Sequence, residues 1–192
     1  MSRLNELVKE LCPNGVEFRK LKDVSVMQRG TSLTKSKAII GDIPVISGGR
    51  EPAFYCESPN RTGETITIAG SGAGAGYVQY WNIPIFANDC FTVKGNERAD
   101  TKYLYYFLAS IQGKINEAKK GGGVPHVHIS DVENFCLPLP PIEVQREIVK
   151  ILDEFSIMVS DISIGLPAEI KLRQQQYEYY RDELLSFKLT NV

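Results

Sequence analysis

Ile148, Leu152, Phe155, Val159, Ile162 and Leu166 follow one another in alternating steps of four and three, the spacing of a helix that carries one narrow apolar seam. Ahead of them, Leu137-Pro138-Leu139-Pro140-Pro141 must be extended, because each proline drives its predecessor out of helical geometry. Pro141 can itself be a first helical residue, where a missing N–H loses nothing, and Glu143 then falls in the first turn, where negative charge is favourable. The pattern predicts a rod from about 142 to 164, roughly 33 Å long at ~1.5 Å per residue. Gly165-Leu166-Pro167 breaks it, glycine suiting a helix end and proline the next start, and Ile170, Tyr177, Leu184 and Phe187 continue the stripe on a second helix. Such an arm is not expected to bury its seam on itself. Ile148, Leu152, Phe155, Val159, Ile162, Leu166, Ile170, Tyr177 and Leu184 are therefore the candidate interface with another chain.

The remainder reads differently. Leu4, Leu7, Val8 and Leu11 have helical spacing and Pro13-Asn14-Gly15 stops them. From Val16 to about Phe91 short β-like runs alternate with turn residues, at Ile43 to Ser47, Thr65 to Ala69, Tyr77 to Trp81, Ile83 to Ala87 and Phe91 to Val93. A helix is predicted between Asp100 and Lys120, capped by Asp100 or Thr101, with Leu104, Phe107, Leu108, Ile111 and Ile115 on one face and Gly121 to Gly123 at its end. Val127 to Ile129 and Phe135 to Leu137 are further short apolar runs. The expected class is α+β: a short N-terminal helix in 1–15 packing on body or arm, a β-rich domain with a few helices in 16–141, and a long coiled-coil-like helical arm in 142–192 with a break near 165–167.

Several function classes lose support. No apolar stretch approaches the roughly 20 residues of a spanning helix, and the charged, amphipathic start is unlike a signal peptide, so a cytoplasmic protein without a membrane partner is expected. Cys12, Cys56, Cys90 and Cys136 are scattered, without the CxxC pairing of zinc sites or the density of a disulfide scaffold. Net charge is -1, which by itself gives nucleic-acid binding no support. The distribution says more: residues 17–50 hold seven basic and three acidic residues, whereas 143–192 hold six basic and nine acidic. A mildly basic body on an acidic arm suits phosphate contact by the one and protein contact by the other.

The run Gly70-Ser71-Gly72-Ala73-Gly74-Ala75-Gly76 invites a phosphate-loop reading, but such a loop needs GxxxxGK[ST] leading into a helix, and Tyr77 to Trp81 reads as a strand. A tight strand connection using positive φ, or a backbone surface open to a DNA groove, are the other readings. His126 and His128 fall on one face of an extended segment without a clear third ligand; a structural or surface role and a polar contact with DNA both stand, and no metal is expected. No triad, Cys/His pair or carboxylate pair stands out, so no catalytic residue is assigned. Basic residues and hydroxyls interleave in the predicted loops. They give as DNA-contact candidates Arg29, Thr31, Lys35, Lys37, Arg50, Ser71, Lys119, Lys120, His126 and His128; Arg61 is another basic loop residue.

The segment LPLPPIEVQREIVKILD at 137–153 resembles the passage by which a type I restriction-modification specificity subunit leaves a target-recognition domain and enters its helix. GLPAEI at 165–170 and QYEYYRDELLSF at 176–187 look like the continuation, and LCPNGVEF at 11–18 is similar to common starts of these subunits. The resemblance implies a non-enzymatic protein that reads half of a bipartite site in double-stranded DNA. It would hold modification subunits that methylate adenine with S-adenosylmethionine, binding no cofactor of its own, and a translocating restriction subunit can join the complex. Relatives often carry a basic residue near the glycine turn; Gly70-Ser71-Gly72 argues against a strong phosphate contact there. Because 20–134 would be the variable domain, no base-contacting residue carries over. The usual subunit has two recognition domains and two helices, whereas one of each is present here. Two copies pairing their arms antiparallel would restore the symmetry and set inverted half-sites about one DNA turn apart, ~34 Å. The alternatives are a different second half, a recognition domain of a fused methyltransferase-nuclease, and an assembly factor that reads no DNA.

Overall fold

The computed structural model describes residues 3–121, 123–162 and 167–187, the side chains at 160–162 and 167–170 excepted. In chain order the elements are α1 (Arg3–Leu11), β1 (Glu17–Lys20), α2 (Leu21–Val24), β2 (Ser25–Arg29), β3 (Ile43–Ile46), β4 (Phe54–Cys56), β5 (Thr65–Ala69), β6 (Val78–Trp81), β7 (Phe86–Ala87), β8 (Cys90–Gly95), α3 (Thr101–Ser110), α4 (Gln112–Glu117), α5 (Ile129–Val132), β9 (Cys136–Leu139), α6 (Ile142–Ile162) and α7 (Pro167–Leu184). This is the α+β class expected, divided into two compact units: a helical one drawn from 1–19 and 137–192, and a β-rich one from 20–136.

In the helical unit the Pro141 carbonyl accepts hydrogen bonds from the Val144 and Gln145 amides at 3.0 and 3.1 Å, so proline stands just ahead of α6 and not as its first residue. Gln145 is fully buried, and its Nε2 donates to the Pro140 carbonyl at 2.8 Å, giving that group the partner that its removal from water requires. Val144, Ile148 and Leu152, one helical turn apart, are also fully buried. Both α1 and α7 pack on α6; the Phe155 and Tyr180 rings stack with centroids 5.5 Å apart, and Arg3 meets Glu147 at 3.6 Å.

This corrects the expectation of an arm unable to bury its own seam. Ile148 and Leu152 lie inside a single copy, and Phe155, Val159, Tyr177 and Leu184 are partly buried. Heptad spacing states that one face leaves water, not which helix covers it. Leu166 lies outside the described residues, as do the side chains of Ile162 and Ile170. Among the described residues of this unit, the most exposed large apolar groups are Ile157 and Met158 on α6 and Leu172 and Tyr179 on α7, with Leu11 and Tyr180 less so.

The β-rich unit is built on an antiparallel sheet in the order β2-β8-β5-β6, with a smaller sheet in the order β4-β3-β7, where β3 pairs antiparallel with β4 and parallel with β7. β5 is buried at all five positions because β8 and β6 flank it and α3 covers the sheet. Ile66, Ile68, Phe91, Val93, Tyr103, Leu104 and Leu108 form its interior. Asp100 caps α3 as expected, its Oδ1 accepting from the Lys102 and Tyr103 amides at 2.9 and 3.1 Å.

Two elements depart from the sequence expectation. The predicted single helix breaks at Ile111 into α3 and α4; beside the break Gln112 Oε1 accepts from the Val78 amide at 3.0 Å and its Nε2 donates to the Gly76 carbonyl at 2.8 Å. The expected run at 127–129 is not a strand: His126 just before it makes two isolated bridges, to Ser71 and Lys120, and α5 begins at Ile129.

Candidate nucleic-acid interface

The glycine run is a tight β5-to-β6 connection. Ala69 and Gly76 hydrogen-bond across its neck at 2.8 Å, and Gly72 and Gly76 take φ of +79° and +77°, the left-handed region open to glycine. A second constraint comes from a neighbouring loop: a Cβ at Gly74 would stand 2.1 Å from the Gly48 carbonyl oxygen. Missing side chains here let two main chains interlock, and the strand that follows rules out a phosphate loop.

Clefts flank this turn. One, of about 300 Å³, is lined by Arg29, Gly30, Ser32, Gly70, Asn88, Asp89, Cys90 and Phe91. The other, of about 480 Å³, is lined by Gly48, Gly49, Arg50, Ala73, Gly74, Ala75, Tyr77, Gln112, Asn116 and Lys119. The Arg50 guanidinium lies over the Tyr77 ring, 4.9 Å from its centroid, and so is preoriented at the rim.

Near the turn, Ser71 bridges to His126, which exchanges both main-chain hydrogen bonds with Lys120, N to O at 3.0 and 2.8 Å. The His126 and His128 rings stack with centroids 6.1 Å apart, and Arg29 Nη2 donates to His128 Nδ1 at 3.2 Å. Residues up to 99 positions apart in sequence therefore share one surface. Of the candidates, Arg29, Ser71, Lys120, His126 and His128 are linked by these contacts, and Arg50 and Lys119 share the larger cleft. Lys35 and Lys37 lie on a single 3-10 turn, where Lys37 lines a separate hollow with Ile39 and Phe86; Thr31 is exposed, its amide held by the Ala87 carbonyl at 2.9 Å.

The electrostatics are more balanced than basic residues alone suggest. Lys120 Nζ meets Asp131 Oδ1 at 2.5 Å, and Asp131 Oδ2 accepts from the His128 amide at 2.9 Å. Burial pushes the Asp131 carboxyl upward, but these hydrogen bonds and the charge of Lys120 outweigh it and hold the group below the ordinary aspartate value. A depressed carboxyl stabilises the fold above its unfolded value, and that contribution is lost as pH falls through the folded one. Asp131→Asn should cost about 1 kcal/mol at pH 7. In urea titrations the difference from the wild-type chain should shrink below the ordinary value of about 3.9 and vanish below the depressed one.

Sequence reasoning missed three residues, Asp89, Asn88 and Asn60. Asp89 accepts from the Ser71 hydroxyl, placing a carboxylate in the smaller cleft. Burial above all, with a smaller push from Asp89, drives the neighbouring Cys90 thiol up to about 12, leaving it unreactive. Asn88 holds the loop after β2, accepting from the Leu33 amide at 3.0 Å and donating to its carbonyl at 3.1 Å, and Asn60 grips Ala87 in the same two-way manner. Arg61, a loop cation by sequence, is structural: it donates to Thr92 Oγ1, the Asn60 carbonyl and the Arg29 carbonyl at 3.1, 2.7 and 2.8 Å. Among the described residues no cluster of three or more His, Cys, Asp or Glu could hold a metal, and no helix is long and apolar enough to cross a membrane.

Residues 13–172 match the family model for the type I restriction modification DNA specificity domain. The chain is 43% identical over 101 residues to the EcoR124I/EcoR124II specificity subunit of Escherichia coli, covering 52% of this chain and 25% of that protein. It is 31% identical over 186 residues to the MpnII specificity subunit of Mycoplasma pneumoniae, covering 89% and 53%. Along most of its length the chain thus spans about half of such relatives. The fold is similar to the type I S subunit from M. genitalium, with TM-score 0.67 and 22% identity over 77% of this chain and 41% of that one. It is also similar to the HsdS subunit from Thermoanaerobacter tengcongensis, with TM-score 0.62 and 21% identity over 95% and 49%. With the match running through both units, the chain belongs to the type I restriction-modification DNA specificity family, whose members are non-catalytic specificity subunits.

Proposed function

We propose that the β-rich unit reads one half of a bipartite site in double-stranded DNA and that the helical unit docks adenine-methylating modification subunits. The observation that carries this reading is the shared surface around the glycine turn, where Arg29 from the end of β2, Arg50 from the 48–50 loop, and Lys119, Lys120, His126 and His128 from the connection between α4 and α5 come together. Long flexible cations beside fixed polar groups suit phosphate positioning and base-edge contact in one interface. S-adenosylmethionine would be bound by the methylating partner, and a restriction subunit would join the same assembly.

Two copies would pair to give inverted half-sites. Since Ile148 and Leu152 are buried within one copy, pairing would use the outer face of the α6–α7 hairpin, where Ile157, Met158, Leu172 and Tyr179 are 60, 52, 66 and 64% exposed. Four large apolar groups on one hairpin lose about 25 cal/mol per Å² of stabilisation while they face water. The test is co-expression with the cognate modification subunit and mapping of N6-methyladenine. An interrupted palindromic motif is the expected result. An asymmetric motif would replace self-pairing by a different second half, and methylation unaffected by deleting the chain would remove the recognition role.

A further inference from the structure

The hydrogen-bond partners of the two stacked histidines determine where each ring carries its proton. A carbonyl oxygen only accepts and a guanidinium only donates. His126 Nδ1 lies 2.7 Å from the Val124 carbonyl oxygen, so this nitrogen donates, and in the neutral ring Nε2 is left as a lone-pair acceptor. His128 Nδ1 lies 3.2 Å from Arg29 Nη2, so this nitrogen accepts, and Nε2 is left as an N–H donor. The rings are therefore opposite tautomers, nearly parallel at 24° and 6.1 Å apart, with His128 exposed and His126 partly so. An acceptor-only Nε2 on His126 is useless against phosphate, whose oxygens also only accept. It fits a base amino group. The ring separation falls between one and two base-pair steps of ~3.4 Å each.

We propose that His126 and His128 are specificity-determining residues that read two base edges in the major groove as a fixed acceptor-and-donor pair. His126 Nε2 accepts from the amino group of adenine or cytosine on the contacted strand. His128 Nε2 donates to a purine N7, a guanine O6 or a thymine O4. Arg29 acts as a positioning residue, since its guanidinium keeps the His128 Nδ1 proton-free. Ser71 reinforces the acceptor side, its own proton being given to Asp89. The inference rests on the proposed DNA-reading role of the β-rich unit and names what part of that unit reads.

The experiment is selection from a random-sequence duplex library by the purified chain, alone and with its modification subunit, sequenced for the wild type and four variants. His126→Arg replaces an acceptor by donors. It should turn one adenine- or cytosine-preferring position to guanine by roughly tenfold or more, the size expected of a single good base contact. His126→Asn keeps an acceptor and should keep the wild-type letter. Arg29→Ala should relax a second position, because His128 is then free to exchange tautomers, while Arg29→Lys, still a pure donor, should hold it. Thermal midpoints matching the wild type ensure that folded chains are compared. If the wild type selects a motif and His126→Arg leaves every position unchanged, the histidine assignment is overturned while the DNA-reading role stands. If the wild type selects no motif in either form, both fall.

Discussion

Leu152→Asp should unfold the helical unit, not merely separate two copies. Leu152 has no exposed surface in the single chain, and α6 is packed by both α1 and α7. A carboxylate placed there loses its water without gaining a partner, at a cost of several kcal/mol, added to the loss of a leucine's packing, about 2–5 kcal/mol. Against a typical total stability of about 5–15 kcal/mol, most of the structure in this unit would go. Circular dichroism should show lost helix and a depressed melting transition, and limited proteolysis should cut within α6 and α7. Met158→Asp, at a side chain 52% exposed, should leave both signals intact and lower only self-association in sedimentation. A folded, wild-type-like Leu152→Asp chain would show the described helix packing to be wrong.

Gly74→Ala should have the second large effect, on the interface. The added methyl would stand 2.1 Å from the Gly48 carbonyl oxygen, far inside van der Waals contact, so the glycine turn and the 48–50 loop must part. Overpacking of this kind typically costs about 1–3 kcal/mol. The larger consequence is geometric, because Arg50 and Lys119 border the cleft that the two loops enclose. DNA affinity should fall at least tenfold, equivalent to about 1.4 kcal/mol. Gly72→Ala is the control. It meets a positive φ of +79° but has nothing within 4 Å of the new methyl, so it should lose about 1–2 kcal/mol of stability and keep most of its binding. Equal losses of affinity in the two variants would remove the interlocked-loop account.

Local chemistry made part of the fold legible. The Asp100 cap, the proline-driven extension before α6 and the apolar run of β5 are each decided by neighbours a few residues away. β2 was not legible, because Ser25 to Arg29 is a polar edge strand with Val26 63% exposed, and its pairing partner β8 lies far along the chain. The seam was legible as apolar but not its cover, because the spacing of Ile148 and Leu152 is the same whether α1, α7 or a second copy fills the groove. In the interface, the types of Arg29, His126 and His128 could be named in advance, but not their contact across loops. Asn60, Asn88 and Asp89 left no signal at all, because their work is side-chain bonding to positions remote in sequence.

The segment after β2 is gripped entirely by its backbone. Gly30 donates to the Cys90 carbonyl at 2.8 Å, Thr31 to the Ala87 carbonyl at 2.9 Å, and Leu33 both gives to and takes from Asn88. None of these bonds involves the outward side chains of Thr31 and Ser32, which are exposed. Retention of the segment is thereby uncoupled from its outward chemistry. Substitutions at these two positions can accumulate with little penalty to folding, so a lineage could drift toward a new target without passing through an unstable ancestor.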